Sequence, residues 1–150
     1  MRFAHWNYQP MPASKFVDGV SPEQYQPSES EHVDYPEVYR FVKNVDFDSS
    51  SFQPYIVEHP SIKAKFVSNQ VGKGIYGVSL FVSLSAARKA FFASGNIQKN
   101  TMGLAKGFTS ISRGISTRAN QEGHLDYFLY DYIGNSPAED FVFEIKNQDL

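Results

Sequence analysis

Cysteine is missing from this chain, which excludes a disulfide framework, a thiol nucleophile and any zinc site built on thiolates. Long apolar runs are missing too. No window approaches the roughly 18 apolar residues of a membrane-spanning helix, and Met1–Pro12 is polar and aromatic where a signal peptide needs an apolar stretch. The expected location is the cytoplasm, although a bacterial effector exported without a cleaved signal has the same appearance. Histidine is sparse: His5, His32, His59 and His124 lie far apart with no metal-ligand spacing, so no metal site is expected. There is no nucleophile elbow, Walker A loop, zincin motif or kinase signature, which disfavours the hydrolases and kinases built on them.

Acid is absent from one long stretch. Residues 59–121 hold nine basic residues (Lys63, Lys65, Lys73, Arg88, Lys89, Lys99, Lys106, Arg113 and Arg118) and no Asp or Glu. Residues 1–58 hold nine acids against four bases, and residues 122–150 seven against one, so a net charge of −2 conceals a segregation along the chain. Two readings follow. The basic segment faces a phosphate-bearing partner, either a nucleotide or nucleic acid, or it folds against the acidic ends and pairs its charges there. Seven of the ten glycines also fall between 59 and 121, and glycines let backbone N–H groups approach an anion closely.

What is present is a globular composition: 150 residues, 41% hydrophobic, 20% charged and 15% aromatic. That length suits one domain and buries roughly two-thirds of the unfolded surface. Pro10, Pro12, Pro22 and Pro27 sit among Ser, Glu and Gln, so residues 1–32 read as an extended N-terminal arm and 33–150 as the domain. Within 36–45 the spacing of Val38, Phe41, Val42 and Val45 favours a short helix, although Val38–Val42 is also β-branched and aromatic enough for a strand. Strands are expected at 55–58, 62–67, 77–82, 108–112, 125–132 and 140–146. The firm helix is about 84–94, with Ser83 as cap and Gly95 as stop, and Leu84, Ala87, Ala90 and Phe91 as its buried stripe. Residues 96–107 read as a loop or short helix. The expected class is α+β, with an antiparallel or mixed sheet, one firm helix and few others.

Gly72-Lys73-Gly74-Ile75-Tyr76-Gly77 spells G-x-G-x-x-G, but a strand follows it where the dinucleotide fingerprint needs a helix. It reads as a glycine-rich loop, with Lys73 placed to meet phosphate if the loop borders a site. His124, near Arg118, Glu122 and Asp126 in sequence, is the histidine best placed for acid–base work.

Ser79-Leu80-Phe81-Val82-Ser83 running into Ala86-Ala87-Arg88-Lys89-Ala90-Phe91, with Tyr39-Arg40 upstream and Glu144 downstream, resembles the small bacterial toxin domains of the ADP-ribosyltransferase type. Phe108-Thr109-Ser110-Ile111-Ser112 offers a second register for the hydroxyl-bearing strand. The resemblance implies NAD as substrate and no metal, with Arg40 on the phosphates or ribose and Ser79 and Ser83 shaping the nicotinamide pocket. Tyr76 or Tyr127 would stack on nicotinamide, and Lys73 would add to cofactor binding. Glu144 would stabilise the oxocarbenium-like transition state, with Arg40 and His124 completing the catalytic set. Position 142 is Val, so the paired acid of that family is lacking. An antitoxin or immunity protein would be the partner of such a toxin. Two other classes fit the charge layout. One is a non-catalytic protein that binds nucleic acid or an acidic protein through 59–121. The other is an inhibitor or immunity-type protein whose acidic arm (Glu29, Glu31, Asp34) meets a basic partner.

Overall fold

Six strands form one antiparallel sheet in a computed structural model that describes residues 27–54, 77–130 and 134–150. The strands are β1 (Val38–Val42), β2 (Val78–Phe81), β3 (Gly103–Gly107), β4 (Gly114–Ser116), β5 (His124–Leu129) and β6 (Phe141–Lys146), and the helices are α1 (Leu84–Ala93) and α2 (Gly95–Asn100). The order across the sheet is β4-β5-β2-β1-β3-β6. The class is α+β, with α1 as the one substantial helix among the described residues. None of their helices is long and apolar enough to cross a membrane.

The two faces of the sheet carry separate clusters, as the period of two along a strand requires. Val38, Val42, Val78, Leu80, Leu125 and Tyr127 pack on one face with Phe52 and Phe141. Tyr39, Phe81 and Leu104 pack on the other beneath Ala86 and Ala87 of α1. Being covered on both faces is the reason Val38–Val42 is a strand and not the helix its spacing favours. A central strand is apolar at consecutive positions, and such a run is indistinguishable by period from a buried helix.

Helix α1 starts where Ser83 caps it, the hydroxyl accepting from the Ala86 N–H at 3.0 Å. It ends one residue before the expected stop. Ser94 adopts extended backbone and its hydroxyl accepts from Ile97 N–H, so Ser94 closes α1 and caps α2, and Gly95 becomes the first residue of α2. The cap predicts a measurable effect: Ser83→Ala lowers stability by about 1 kcal/mol in urea denaturation, and Ser83→Asp restores most of it.

Two further expectations are corrected. Residues 96–107 contain β3, disguised by its terminal glycines. A Cβ at Gly103 would collide with the Ile145 carbonyl, and one at Gly107 with the Asp140 carbonyl and the Phe141 ring, so the close approach of β6 demands glycine at both ends. Residues 108–112 are no strand. Thr109 Oγ1 accepts from Tyr35 N–H, and the Ser110 N–H and carbonyl both bond the Tyr127 hydroxyl, which holds this segment in a turn ahead of β4. The strands expected at 55–58 and 62–67, and the glycine loop before Gly77, lie outside the described residues.

Candidate functional site

The sheet opens between β1 and β2. β1 pairs with β3 over the whole length Val38–Val42, but with β2 only through Tyr39 and Phe81. Beyond that pair β2 loses its ladder partner on the β1 side, and a side chain takes its place. Arg40 donates from Nη1 to the Ser79 carbonyl at 3.0 Å and from Nε to the Ser51 carbonyl at 3.0 Å, while only 5% of the residue is exposed. A guanidinium suits this position because its planar fork serves acceptors in two directions.

The opening is a cleft of about 580 Å³. Arg40, Lys43 and Ser79 line its inner wall, and Asn96 and Asn100 of α2 face them. Phe41 and Phe81 supply apolar surface beside these polar groups. No Asp or Glu stands among the described lining residues, and Lys43 brings an exposed ammonium to the cleft.

Behind Ser79 lies a polar group on the α1 side of the sheet. Ser79 and Asp126 are directly opposed across β2 and β5, and Phe81 opposes His124. Alternation places Ser79, His124 and Asp126 on one face. His124 Nε2 lies 2.5 Å from Ser79 Oγ and 3.8 Å from the nearer Asp126 oxygen, and the imidazole meets the Phe81 ring edge-on at 5.5 Å between centroids. Serine and aspartate both address the same ring nitrogen, so this is not the arrangement of a serine–histidine–aspartate triad, in which they occupy opposite nitrogens. Burial lowers the His124 pKa, partly countered by the Glu122 carboxylate, and raises that of Asp126 to about 6. Neutral imidazole is therefore the resting form near neutral pH.

The turn before β5 sets the position of His124. Asn120 Oδ1 accepts from the backbone N–H groups of Glu122 and His124, and Gly123 sits at φ +77°. A Cβ on Gly123 would meet Ala86 Cβ of α1 at 2.7 Å, and the left-handed backbone favours glycine in any case. The Val82 N–H donates to the Gly123 carbonyl, which ties this turn to the start of α1.

Comparison with protein-family models, curated proteins and solved structures finds no match for this chain.

Arg40 and Ser79 thus meet at one cleft, with His124 behind them. Ser83 is engaged as the cap of α1. Glu144 is exposed on β6, two strands from β1, where its charge acts on Tyr39 and Lys106, and it does not line the cleft. Lys73 and Tyr76 lie outside the described residues. Of the second hydroxyl segment, Thr109 and Ser110 are engaged with Tyr35 and Tyr127 and do not line the cleft. Sequence reasoning missed Lys43, Asn96 and Asn100, which carry no motif. It named Asp126 only as a neighbour of His124, because the expected strand began at 125; β5 starts at His124, and the two-residue spacing puts both on one face.

The basic stretch is partly turned inward. Arg113 bonds Asp140 at 2.7 Å and Glu139 at 3.2 Å, and Lys106 pairs with Glu37 at 3.3 Å. The Asp140 carboxylate, opposed by some desolvation, raises the Arg113 pKa further. On the exposed outer side of α1, Arg88 and Lys89 flank a Phe92 that is 64% exposed. In the arm, Asp34 bonds His32 and Glu31 bonds the Ser28 N–H.

Proposed function

We propose that the cleft between β1 and β2 binds NAD and that the chain is an ADP-ribosyltransferase-like toxin or effector that cleaves the nicotinamide–ribose bond. The observation that carries this reading is the meeting of Arg40 and Ser79, 39 residues apart, on one cleft whose described lining also includes Lys43 and no carboxylate. In the resembling family an early arginine and a hydroxyl-bearing strand that runs into a helix do this work, and β2 runs into α1 through the Ser83 cap.

The chemistry is consistent with that wall. Lys43 offers charge-assisted bonds to pyrophosphate from the wall that Arg40 holds open, and Phe41 and Phe81 offer ring faces and edges to an aromatic base. Departure of nicotinamide develops positive charge on ribose, for which the described lining offers neutral oxygen acceptors, Ser79 among them, and no carboxylate. The acids that bind Lys106 and Arg113 take two cations away from any nucleic-acid face, so a small phosphate-bearing ligand fits the remaining positive potential better than a polyanion.

The test is incubation with NAD labelled in the nicotinamide ring. The wild type releases nicotinamide, Ser79→Ala releases it at least about tenfold more slowly, consistent with loss of one oriented polar group in a reacting site, and Glu144→Gln stays within about twofold because it lies off the cleft. If the wild type neither binds NAD in calorimetry nor releases nicotinamide, this reading is wrong.

A further inference from the structure

We infer that Ser79, His124 and Asp126 form a proton relay for this cleft, in which the Ser79 hydroxyl passes the proton of an attacking water or acceptor hydroxyl to His124, with the Asp126 carboxylate close by to offset the charge that results. The inference rests on the proposed NAD cleavage and assigns the step that the lining of the cleft leaves open, the removal of the acceptor's proton.

The geometry accommodates transfer from Ser79 to the histidine in the tautomer that leaves Nε2 bare. A neutral imidazole at 2.5 Å from a hydroxyl accepts its proton when the facing nitrogen is bare. Ser79 belongs to the wall of the cleft, while neither His124 nor Asp126 lines it. Ser79 is therefore the single polar bridge, among the described residues, between the hollow and the histidine. In the reaction the acceptor oxygen bonds to the ribose C1′ as the bond from C1′ to nicotinamide breaks, and that electron pair leaves with neutral nicotinamide. The acceptor's proton passes to Ser79 Oγ, and the proton of Ser79 passes to His124 Nε2. The new imidazolium lies 3.8 Å from the Asp126 carboxylate, which offsets the charge.

The groups that face His124 are few. β2 presents the Ser79 hydroxyl and the Phe81 ring, and the turn presents the Glu122 carboxylate. β5 itself supplies Asp126, whose backbone carbonyl is held by the N–H and hydroxyl of Thr117. The charges among them are all negative, so nothing among these groups opposes the imidazolium once it forms. The desolvation that lowers the His124 pKa keeps it ready as a base near neutral pH, in line with the value a base needs.

His124 and Asp126 act through Ser79 and are positioning residues, so the decisive readout is a pH profile. For the wild type, kcat/KM for nicotinamide release rises from pH 5 to a plateau near neutrality. His124→Gln is expected to lower the plateau about 100-fold, the low end of what a general base contributes, and to abolish the acidic limb while NAD affinity by calorimetry stays within about threefold. Asp126→Asn moves the limb to lower pH, because the imidazolium loses its counter-charge. An acidic limb that survives in His124→Gln overturns the relay. A second measurement stands apart from NAD. The His124 ring resonance, assigned by its loss in His124→Gln, is titrated in the wild type, Ser79→Ala and Asp126→Asn. Identical titrations in all three show that the groups are uncoupled and likewise overturn it. If the titrations differ but the wild type leaves NAD intact, the coupled unit stands, the NAD reading fails, and the relay's assignment to this reaction falls with it.

Discussion

Arg40→Ala is expected to lose about 4 kcal/mol of folding stability, the largest effect of any substitution proposed for this chain. Arg40 is 5% exposed and serves the carbonyls of Ser51 and Ser79 from one guanidinium. Removing it leaves two acceptors in the sheet opening without those donors, at about 1–3 kcal/mol for each buried group, and leaves a void where a long side chain had been. Against a typical stability of about 5–15 kcal/mol this is a large fraction. In a chain of this size it lowers Tm by about 8–16 °C, taking about 2–4 °C per kcal/mol. Arg40→Lys should recover only part, because one ammonium cannot reproduce a rigid fork aimed at two carbonyls. Urea denaturation with an unchanged m-value checks the prediction. A loss below about 1 kcal/mol for Arg40→Ala would mean that water replaces both bonds, and so that the cleft is wetter and Arg40 freer than its burial indicates. The same expectation explains why Ser79, and not Arg40, is the residue for testing NAD cleavage: an Arg40 variant confounds ligand contact with the integrity of the opening.

The α+β class and α1 were legible because they rest on local signals: a capping serine, small residues, and a stripe of Leu84, Ala87 and Phe91 at helical spacing. β5 and β6 were legible for a similar reason, since alternation over five or six residues is a local pattern. β1 was not, because burial on both faces erased the alternation that distinguishes a strand. β3 was not, because its glycines answer to β6, a partner more than thirty residues away by the register Gly103–Lys146. The site divides in the same way. Residue types at Arg40, Ser79 and His124 advertise chemistry wherever they occur, so they could be named. Which of them meet depends on long-range pairing: Ser79 opposes Asp126, and β1 parts from β2 after a single pair. Glu144 and Asp126 are both strand carboxylates with apolar neighbours, and only the order of strands across the sheet separates the one beside Ser79 from the one at the far edge. Of the two readings of the charge segregation, pairing with the acidic ends is seen at Lys106 and Arg113, which meet carboxylates from outside the basic stretch, while the cations that line the cleft, Arg40 and Lys43, come from the acid-rich first part of the chain.

Asp126→Asn is expected to stabilise the fold at pH 7.5 by about 2 kcal/mol and to change it little at pH 3.5. Burial raises the Asp126 pKa from 3.8 to about 6, so the folded state prefers the neutral acid. Below the unfolded value both states hold the proton and the fold bears no penalty. As pH rises past that value the unfolded chain releases its proton while the folded chain keeps it, and stability falls until the folded carboxyl ionises as well. A shift of about two units corresponds to about 3 kcal/mol at 1.36 kcal/mol per unit, and the 24% exposure of the side chain reduces this to about 2. His124 works in the opposite sense: its lowered pKa contributes stability at neutral pH that is lost as pH falls below the ordinary imidazole value. The two lie 3.8 Å apart and will not act additively, so the Asp126 component is best read in a His124→Gln background, with thermal melts from pH 3.5 to 8. A loss of stability in Asp126→Asn at pH 7.5 would show that the carboxylate is held by a partner and not merely tolerated. In that case Asp126 could not serve as the carboxylate that awaits an imidazolium. A gain marks a charged group kept at the expense of stability beside the cleft, the pattern expected where a buried acid is retained for chemistry and not for folding.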